Sequence, residues 1–195
     1  KASVMWADGA QDMIDYQKSM PEMFVPNILN FASEGKELFY AGVGTPLDKW
    51  GPWFASEERH HGLLKDVQEN LTSLIDPLRL LEIYRFFSVY TADKTTNRKI
   101  KIVCRYQQYF GGKAIVERVM SRCETGFGPK KGLIWHFQGS GKSWLMVFAS
   151  QMLMKKVPKA PTVVIVDDRR DLRAQITGDF TRAEIPNLDF AYTKE

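Results

Sequence analysis

Hydrophobic positions along this chain repeat with a helical period in some segments and alternate as in a strand in others. Turn residues from Ser33 to Lys36 separate two apolar runs, which predicts a β-hairpin over 27–41 with Gly35 in its turn. Alternation predicts a short strand over 98–103, and residues 86–90 fit either a helix end or a strand. Helical spacing predicts helices at 10–18, 57–74, 77–86 and 107–123. The mixture predicts an α/β chain.

A different pattern begins at Gly132. The apolar run Leu133 to Trp135 leads into a glycine-containing loop, and an apolar helix is predicted from Lys142 onward. After a break at two prolines, a second apolar run follows over 162–166. Strand, helix and strand in this order predict a βαβ unit with two buried parallel strands.

The loop between the first strand and its helix has the composition of a phosphate-binding loop. Its glycines allow a tight turn whose backbone N–H groups point at a polyphosphate, and the following helix adds its positive end. Lys142 is expected to bind the β- and γ-phosphates, and Ser143 is expected to bind Mg²⁺. The predicted ATP-binding loop residues are Gln138, Gly139, Ser140, Gly141, Lys142 and Ser143. His136 replaces the pattern's first glycine, and an ordinary strand-to-helix turn is the alternative.

Charge is unevenly distributed along the chain. Residues 1–93 contain 8 Lys/Arg and 14 Asp/Glu, whereas residues 94–131 contain 10 Lys/Arg and 2 Asp/Glu. The change near Asp93 suggests a domain boundary. The basic segment fits a surface that faces a polyanion, or a solvated linker that neutralises its acidic neighbour.

Two further groups of residues have candidate roles. Arg105 and Gln108 stand about 30 residues before the loop, and a glutamine amide can read the N6/N7 edge of adenine. Gln107 is the second choice, and a surface glutamine on an amphipathic helix is the alternative. After the second apolar run, Arg169, Arg170 and Gln175 are candidate DNA contacts; the alternative is a charged helix start.

Metal and membrane signals are weak in this sequence. Cys104 and Cys123 have no CxxC spacing, the three histidines lack ligand spacing, and no apolar run approaches the ~20 residues of a membrane span. Isolated cysteines fit a reducing cytoplasm. We expect no metal other than nucleotide-bound Mg²⁺.

Taken in order, these motifs resemble the restriction (R) subunit of type I restriction–modification enzymes. The loop Gly132 to Ser143, the segment Asp168 to Leu172, and Arg105 to Tyr109 match the family's motor motifs. Upstream, Pro21–Phe24 and Ser33–Gly35 match the passage that leaves its nuclease domain. Arg105 and Gln108 then resemble the adenine-reading motif of superfamily 2 helicases.

The resemblance implies a specific domain organisation. Residues 1–55 would end a PD-(D/E)xK-type α+β nuclease domain, residues 56–94 would form a helical connector, and residues 95–195 would begin a RecA-like, superfamily 2 helicase lobe with a parallel sheet. The chain would then be a fragment of a longer subunit, and we expect the segment alone to bind nucleotide without translocating or cutting DNA.

The resemblance also implies an activity and partners. The complete subunit would be a cytoplasmic bacterial or archaeal enzyme that uses ATP and Mg²⁺ to translocate double-stranded DNA and cleave it when unmethylated. It would work with methyltransferase (M) and specificity (S) subunits. Two other classes stay open, a small-molecule P-loop kinase and an ATP-binding module that does not hydrolyse ATP.

Overall fold

The computed structural model describes residues 5–56, 58–92, 99–158, 161–167, 170–185 and 189. It divides into two compact units, residues 1–109 and 110–195. The chain is of the predicted α/β class, with small antiparallel sheets. The helices are α1 (Trp6–Ser19), α2 (Leu64–Leu74), α3 (Pro77–Phe86), α4 (Tyr106–Thr125), α5 (Lys142–Lys156) and α6 (Arg170–Arg182). The strands are β1 (Leu29–Ser33), β2 (Leu38–Gly42), β3 (Gly51–Pro52), β4 (Ser88–Ala92) and β5 (Lys99–Val103).

The first unit begins with helix α1 packed against the predicted hairpin. Strands β1 and β2 pair antiparallel with Ser33 opposite Leu38, and Gly35 lies between them at φ +92°. β3 extends the sheet along the other edge of β2. The Trp6 ring of α1 stacks on Phe39 with centroids 3.8 Å apart. The hairpin prediction is confirmed.

Local signals place the two helices that follow. Asp76 Oδ1 accepts a hydrogen bond from Arg79 N at 2.9 Å, so α3 begins at Pro77 as predicted. Helix α2 begins at Leu64, later than predicted, after Gly62 at φ +100°. Leu63 N donates to Asp66 Oδ2 at 3.1 Å and so caps this start.

Residues 88–92 form strand β4 and do not continue α3. β4 pairs antiparallel with β5, with Ser88 opposite Val103. The second sheet joins the first because Lys101 N donates to Val43 O at 2.8 Å, just beyond the end of β2. Aromatic rings fill the centre of this unit. The Trp53 ring is fully buried, 5.6 Å from the Tyr40 centroid and 5.7 Å from the Tyr109 centroid.

The second unit contains most of α4 and helices α5 and α6. Helix α5 packs against α6, and its apolar side chains are largely buried. Buried residues of this unit include Val116, Leu145, Val147, Phe148, Met152 and Phe180. Among the described residues, no helix is long and apolar enough to span a membrane.

The predicted parallel strands of the second unit are not confirmed. Residues 132–137 and 161–167 have no strand pairing, and the Leu133 and Trp135 side chains, predicted to be buried, are 85% and 88% exposed. A parallel strand becomes buried only when hydrogen-bonded neighbours and covering helices surround it. Neither segment has a strand neighbour within the described part of the chain.

Candidate nucleotide-binding site

The predicted phosphate loop forms a tight turn at the start of helix α5. Gly139 has φ +82°, and Gly141 has φ +81° and ψ +42° as the residue preceding the helix. Both conformations are left-handed, which glycine adopts without the steric cost that a Cβ would add. Between them, Ser140 is buried and its N–H donates to Phe137 O at 3.3 Å. The glycine positions in the motif therefore have a conformational reason.

Lys142 is the first residue of α5, and its side chain folds back over the loop. Its ammonium donates to His136 O at 3.1 Å and to Phe137 O at 2.9 Å. The side chain is exposed, so the ammonium can exchange these carbonyl oxygens for a phosphate oxygen. The loop thus holds a cation at the mouth of a helix N-terminus, where the helix dipole also favours an anion.

These features fit a bound polyphosphate. The first amides of α5 have no acceptor within the helix, because its first intrahelical bond runs from Leu145 N to Gly141 O. A helix start, two left-handed glycines and an ammonium are the parts that a phosphate cradle uses. Ser143 lies in the same first turn, where its hydroxyl can bind the Mg²⁺ of a nucleotide.

His136 lies against the same loop, and the sequence showed it only as a departure from the motif. A Cβ built on Gly111 of α4 would lie 3.5 Å from the His136 Cε1 atom, so the ring lies next to this part of α4. The buried Nδ1 atom has no hydrogen-bond partner. Burial lowers the pKa of His136, and the neighbouring Lys142 ammonium lowers it further. The imidazole is therefore held in its neutral form.

Helix α6 brings another predicted residue to the loop. Gln175 Nε2 lies 3.5 Å from Ser143 Oγ, so this side chain is adjacent to the candidate Mg²⁺ ligand. Arg169 lies outside the described residues, and Arg170 is described only as the first backbone position of α6. The structure therefore brings Gln175 to the loop and gives no geometry for the two arginines.

Gln108 and Arg105 lie in the first unit, at the start of α4. The Gln108 side chain is buried, and its Oε1 atom accepts a hydrogen bond from Arg105 N at 2.7 Å. A glutamine at the third position of a helix, when its side chain accepts a hydrogen bond from the N–H of the residue just before the helix, forms half of a capping box. The amide oxygen therefore holds the helix start. Gln107 differs, because its Oε1 atom is buried without a hydrogen-bond partner.

No group of three or more His, Cys, Asp or Glu side chains could hold a metal ion among the described residues.

The glycine loop lies within a segment that is similar to a known ATPase family. A family model described as SWI2/SNF2 ATPase matches residues 107–195. The type I restriction enzyme HindI endonuclease subunit of Haemophilus influenzae is 30% identical over 172 residues, which cover 85% of this chain. The putative type I restriction enzyme MjaVIIP endonuclease subunit of Methanocaldococcus jannaschii is 33% identical over 181 residues, or 86% of this chain. The chain is a homologue of type I restriction endonuclease subunits.

The chain spans only a small part of the length of these relatives. The matched segment covers 16% of the HindI subunit and 16% of the MjaVIIP subunit. A second M. jannaschii relative, the putative MjaVIIIP endonuclease subunit, is 27% identical over 92% of this chain and 17% of its own length. The similarity to these relatives therefore extends over both compact units. The ATPase family match covers the second unit and only the last three residues of the first unit.

Proposed function

We propose that this chain is the region of a type I restriction subunit where the nuclease domain ends and the first motor lobe begins. Residues 1–55 complete the nuclease domain, and residues 95–195 begin a RecA-like lobe. Residues 56–94 connect the two. In the complete lobe, residues 132–137 and 161–167 are strands of its parallel sheet. The SWI2/SNF2 ATPase match over 107–195 supports the assignment of the last part of the chain to a motor lobe.

The site binds ATP with Mg²⁺ and is the nucleotide site of the motor. Lys142 neutralises the β- and γ-phosphates, the amides of residues 138–141 cradle them, and the Ser143 hydroxyl binds the metal. The metal held by Ser143 would offset the negative charge that develops on the phosphates during hydrolysis. Arg105 and Gln108 contribute adenine selection.

In the complete subunit, ATP hydrolysis drives translocation of double-stranded DNA, and the nuclease domain cleaves DNA that is unmethylated. Arg169 and Arg170 follow the second predicted strand and contact the DNA backbone. The subunit is a type I site-specific deoxyribonuclease of a bacterial or archaeal cytoplasm, and it acts with M and S subunits. Homology to named type I restriction endonuclease subunits supports this proposal.

One observation carries the proposal. Left-handed Gly139 and Gly141 lie beside the Lys142 ammonium at the start of α5, in a chain that matches type I restriction endonuclease subunits over most of its length.

The deciding experiment measures ATPase activity of the complete subunit with its M and S partners, with and without unmethylated DNA that carries the recognition site. We expect strong stimulation by that DNA, and loss of both hydrolysis and cleavage in Lys142→Ala. Lys65→Ala removes an exposed lysine of α2, outside the basic segment, and serves as the matched control.

Two outcomes would replace the proposal. A rate of ATP hydrolysis that is unchanged by DNA but increased by a small phosphate acceptor would indicate a P-loop kinase. Binding of ATP without turnover in the complete subunit would indicate a non-hydrolysing module.

A further inference from the structure

Gln175 lies on the face of α6 that is turned toward the first turn of α5. Its Nε2 atom is 3.5 Å from Ser143 Oγ, at the long end of hydrogen-bond distance. The two residues are 32 positions apart in sequence, so the contact depends on how α6 packs against α5.

Two other side chains hold α6 in this place. The Arg182 guanidinium lies over the Trp144 ring, 5.5 Å from its centroid, and Trp144 directly follows Ser143. Arg182 also pairs with Asp179, whose side chain is 4% exposed. Gln175, Asp179 and Arg182 follow the spacing i, i+4, i+7, which places them on one face of the helix. The same face of α6 therefore contacts two successive residues of α5.

We propose that Gln175 is a positioning residue of the magnesium–nucleotide site, acting through Ser143. A hydroxyl oxygen has two lone pairs, and the Gln175 amide N–H occupies one of them. The other lone pair is then available to a metal. The amide thus selects the Ser143 rotamer in which the hydroxyl can bind Mg²⁺.

This inference rests on the proposed function, because it assigns Ser143 to the Mg²⁺ of a bound nucleotide. It changes the role expected for Gln175, which the sequence placed on DNA. A residue that orients a metal ligand without touching the metal typically contributes about 10-fold or more to metal affinity. A DNA contact would instead contribute to DNA affinity alone.

The test is a titration of the full-length protein with a fluorescent mant-ADP probe, once with Mg²⁺ and once with EDTA. In Gln175→Ala we expect the dissociation constant for Mg·mant-ADP to rise about 10-fold. The value in EDTA should stay within about 2-fold, because the metal is then absent. In Ser143→Ala the metal-dependent gain should be lost, and adding Gln175→Ala to it should cause no further loss.

Gln68→Ala is the matched control, since Gln68 is an exposed glutamine on α2 of the other unit. Three results would overturn the inference. The Mg·mant-ADP constant could be unchanged in Gln175→Ala, or the constants with Mg²⁺ and EDTA could rise equally, which indicates a general effect on α6. Nucleotide binding could stay normal while DNA affinity, measured without nucleotide, falls.

Failure of the proposed function has a different signature. In that case the unmodified protein does not bind mant-ADP under either condition, or Lys142→Ala binds it as tightly as the unmodified protein does. The inference is then overturned together with its premise, and not by the behaviour of Gln175.

Discussion

Gly42, the last residue of β2, lies directly against the backbone carbonyl of Lys101 in β5. A Cβ built on Gly42 would lie 1.6 Å from the Lys101 oxygen, which is far inside any contact distance. The neighbouring backbone bond, from Lys101 N to Val43 O at 2.8 Å, holds the two segments together. The two sheets of the first unit therefore meet at a point where only glycine fits.

We predict that Gly42→Ala destabilises the protein by at least about 2 kcal/mol, because the backbone at Lys101 must move to admit a methyl group. Gly51→Ala is the control, since a Cβ there would have no neighbour within 4 Å; we expect it to change the free energy of unfolding by about 0.5 kcal/mol or less. Chemical denaturation of both variants measures the difference, and equal effects would contradict the packing argument.

The Lys101 ammonium closes a turn of the first unit. It donates to Phe24 O at 3.2 Å, to Val25 O at 2.5 Å and to Asn27 O at 2.5 Å. Hydrogen bonds to a charged group contribute about 1.5–3 kcal/mol, so we predict a loss of about that size in Lys101→Met. Lys99→Met, which changes an exposed lysine of the same strand, should have little effect on the denaturation midpoint.

Gln108 allows helix capping to be separated from base reading. Gln108→Glu keeps an oxygen acceptor for Arg105 N and removes the amide donor, whereas Gln108→Ala removes both. We predict that the free energy of unfolding falls by about 1 kcal/mol in the alanine variant, which loses the cap. It should also fall in the glutamate variant, because the side chain at this position is buried and a carboxylate there would be desolvated. Both variants should lose preference for ATP over GTP. Unchanged preference in both would show that Gln108 acts only as a cap.

The pH dependence of stability should depend on His136. Because burial and the Lys142 ammonium hold its pKa below the ordinary 6.5, the unfolded chain takes up a proton at higher pH than the folded chain does. Stability should therefore fall as pH decreases below about 6.5. Gln has no titratable group, so His136→Gln should lose less stability than the unmodified protein between pH 7.5 and pH 5. Thermal denaturation at both pH values measures this, and equal losses would contradict it.

The two cysteines should differ in reactivity. Burial raises the pKa of the Cys104 thiol, which keeps it protonated and unreactive, whereas Cys123 is exposed. We predict that iodoacetamide modifies Cys123 in the native protein and modifies Cys104 only after denaturation. Mass spectrometry of the two cysteine-containing peptides measures the labelling. Rapid native labelling of Cys104 would contradict its burial.

Elements with strong local signals could be predicted from sequence. Gly35 marked the hairpin turn and Asp76–Pro77 marked the start of α3, because capping and turn formation involve only neighbouring residues. The phosphate loop was predicted for the same reason. Its positive-φ glycines and its lysine belong to one short stretch of backbone.

Burial was predicted less well. Helical spacing predicts that one apolar face of α3 contains Leu78, Leu81, Ile83 and Phe86. Leu78 and Leu81 are nevertheless 74% and 62% exposed, while the other two are buried. An apolar side chain favours burial, but it is buried only where other elements of the fold pack against it. The apolar residue Trp135 is exposed for the same reason.

The sequence by itself determined the hairpin, the start of α3 and the glycine turn of the loop, because these depend on residues within a few positions of one another. Only the tertiary structure placed Gln175 beside Ser143 and Gly42 against Lys101. Such contacts join distant segments through the packing of whole helices and sheets. These contacts correspond to no periodic pattern in the sequence, because they depend on the tertiary structure.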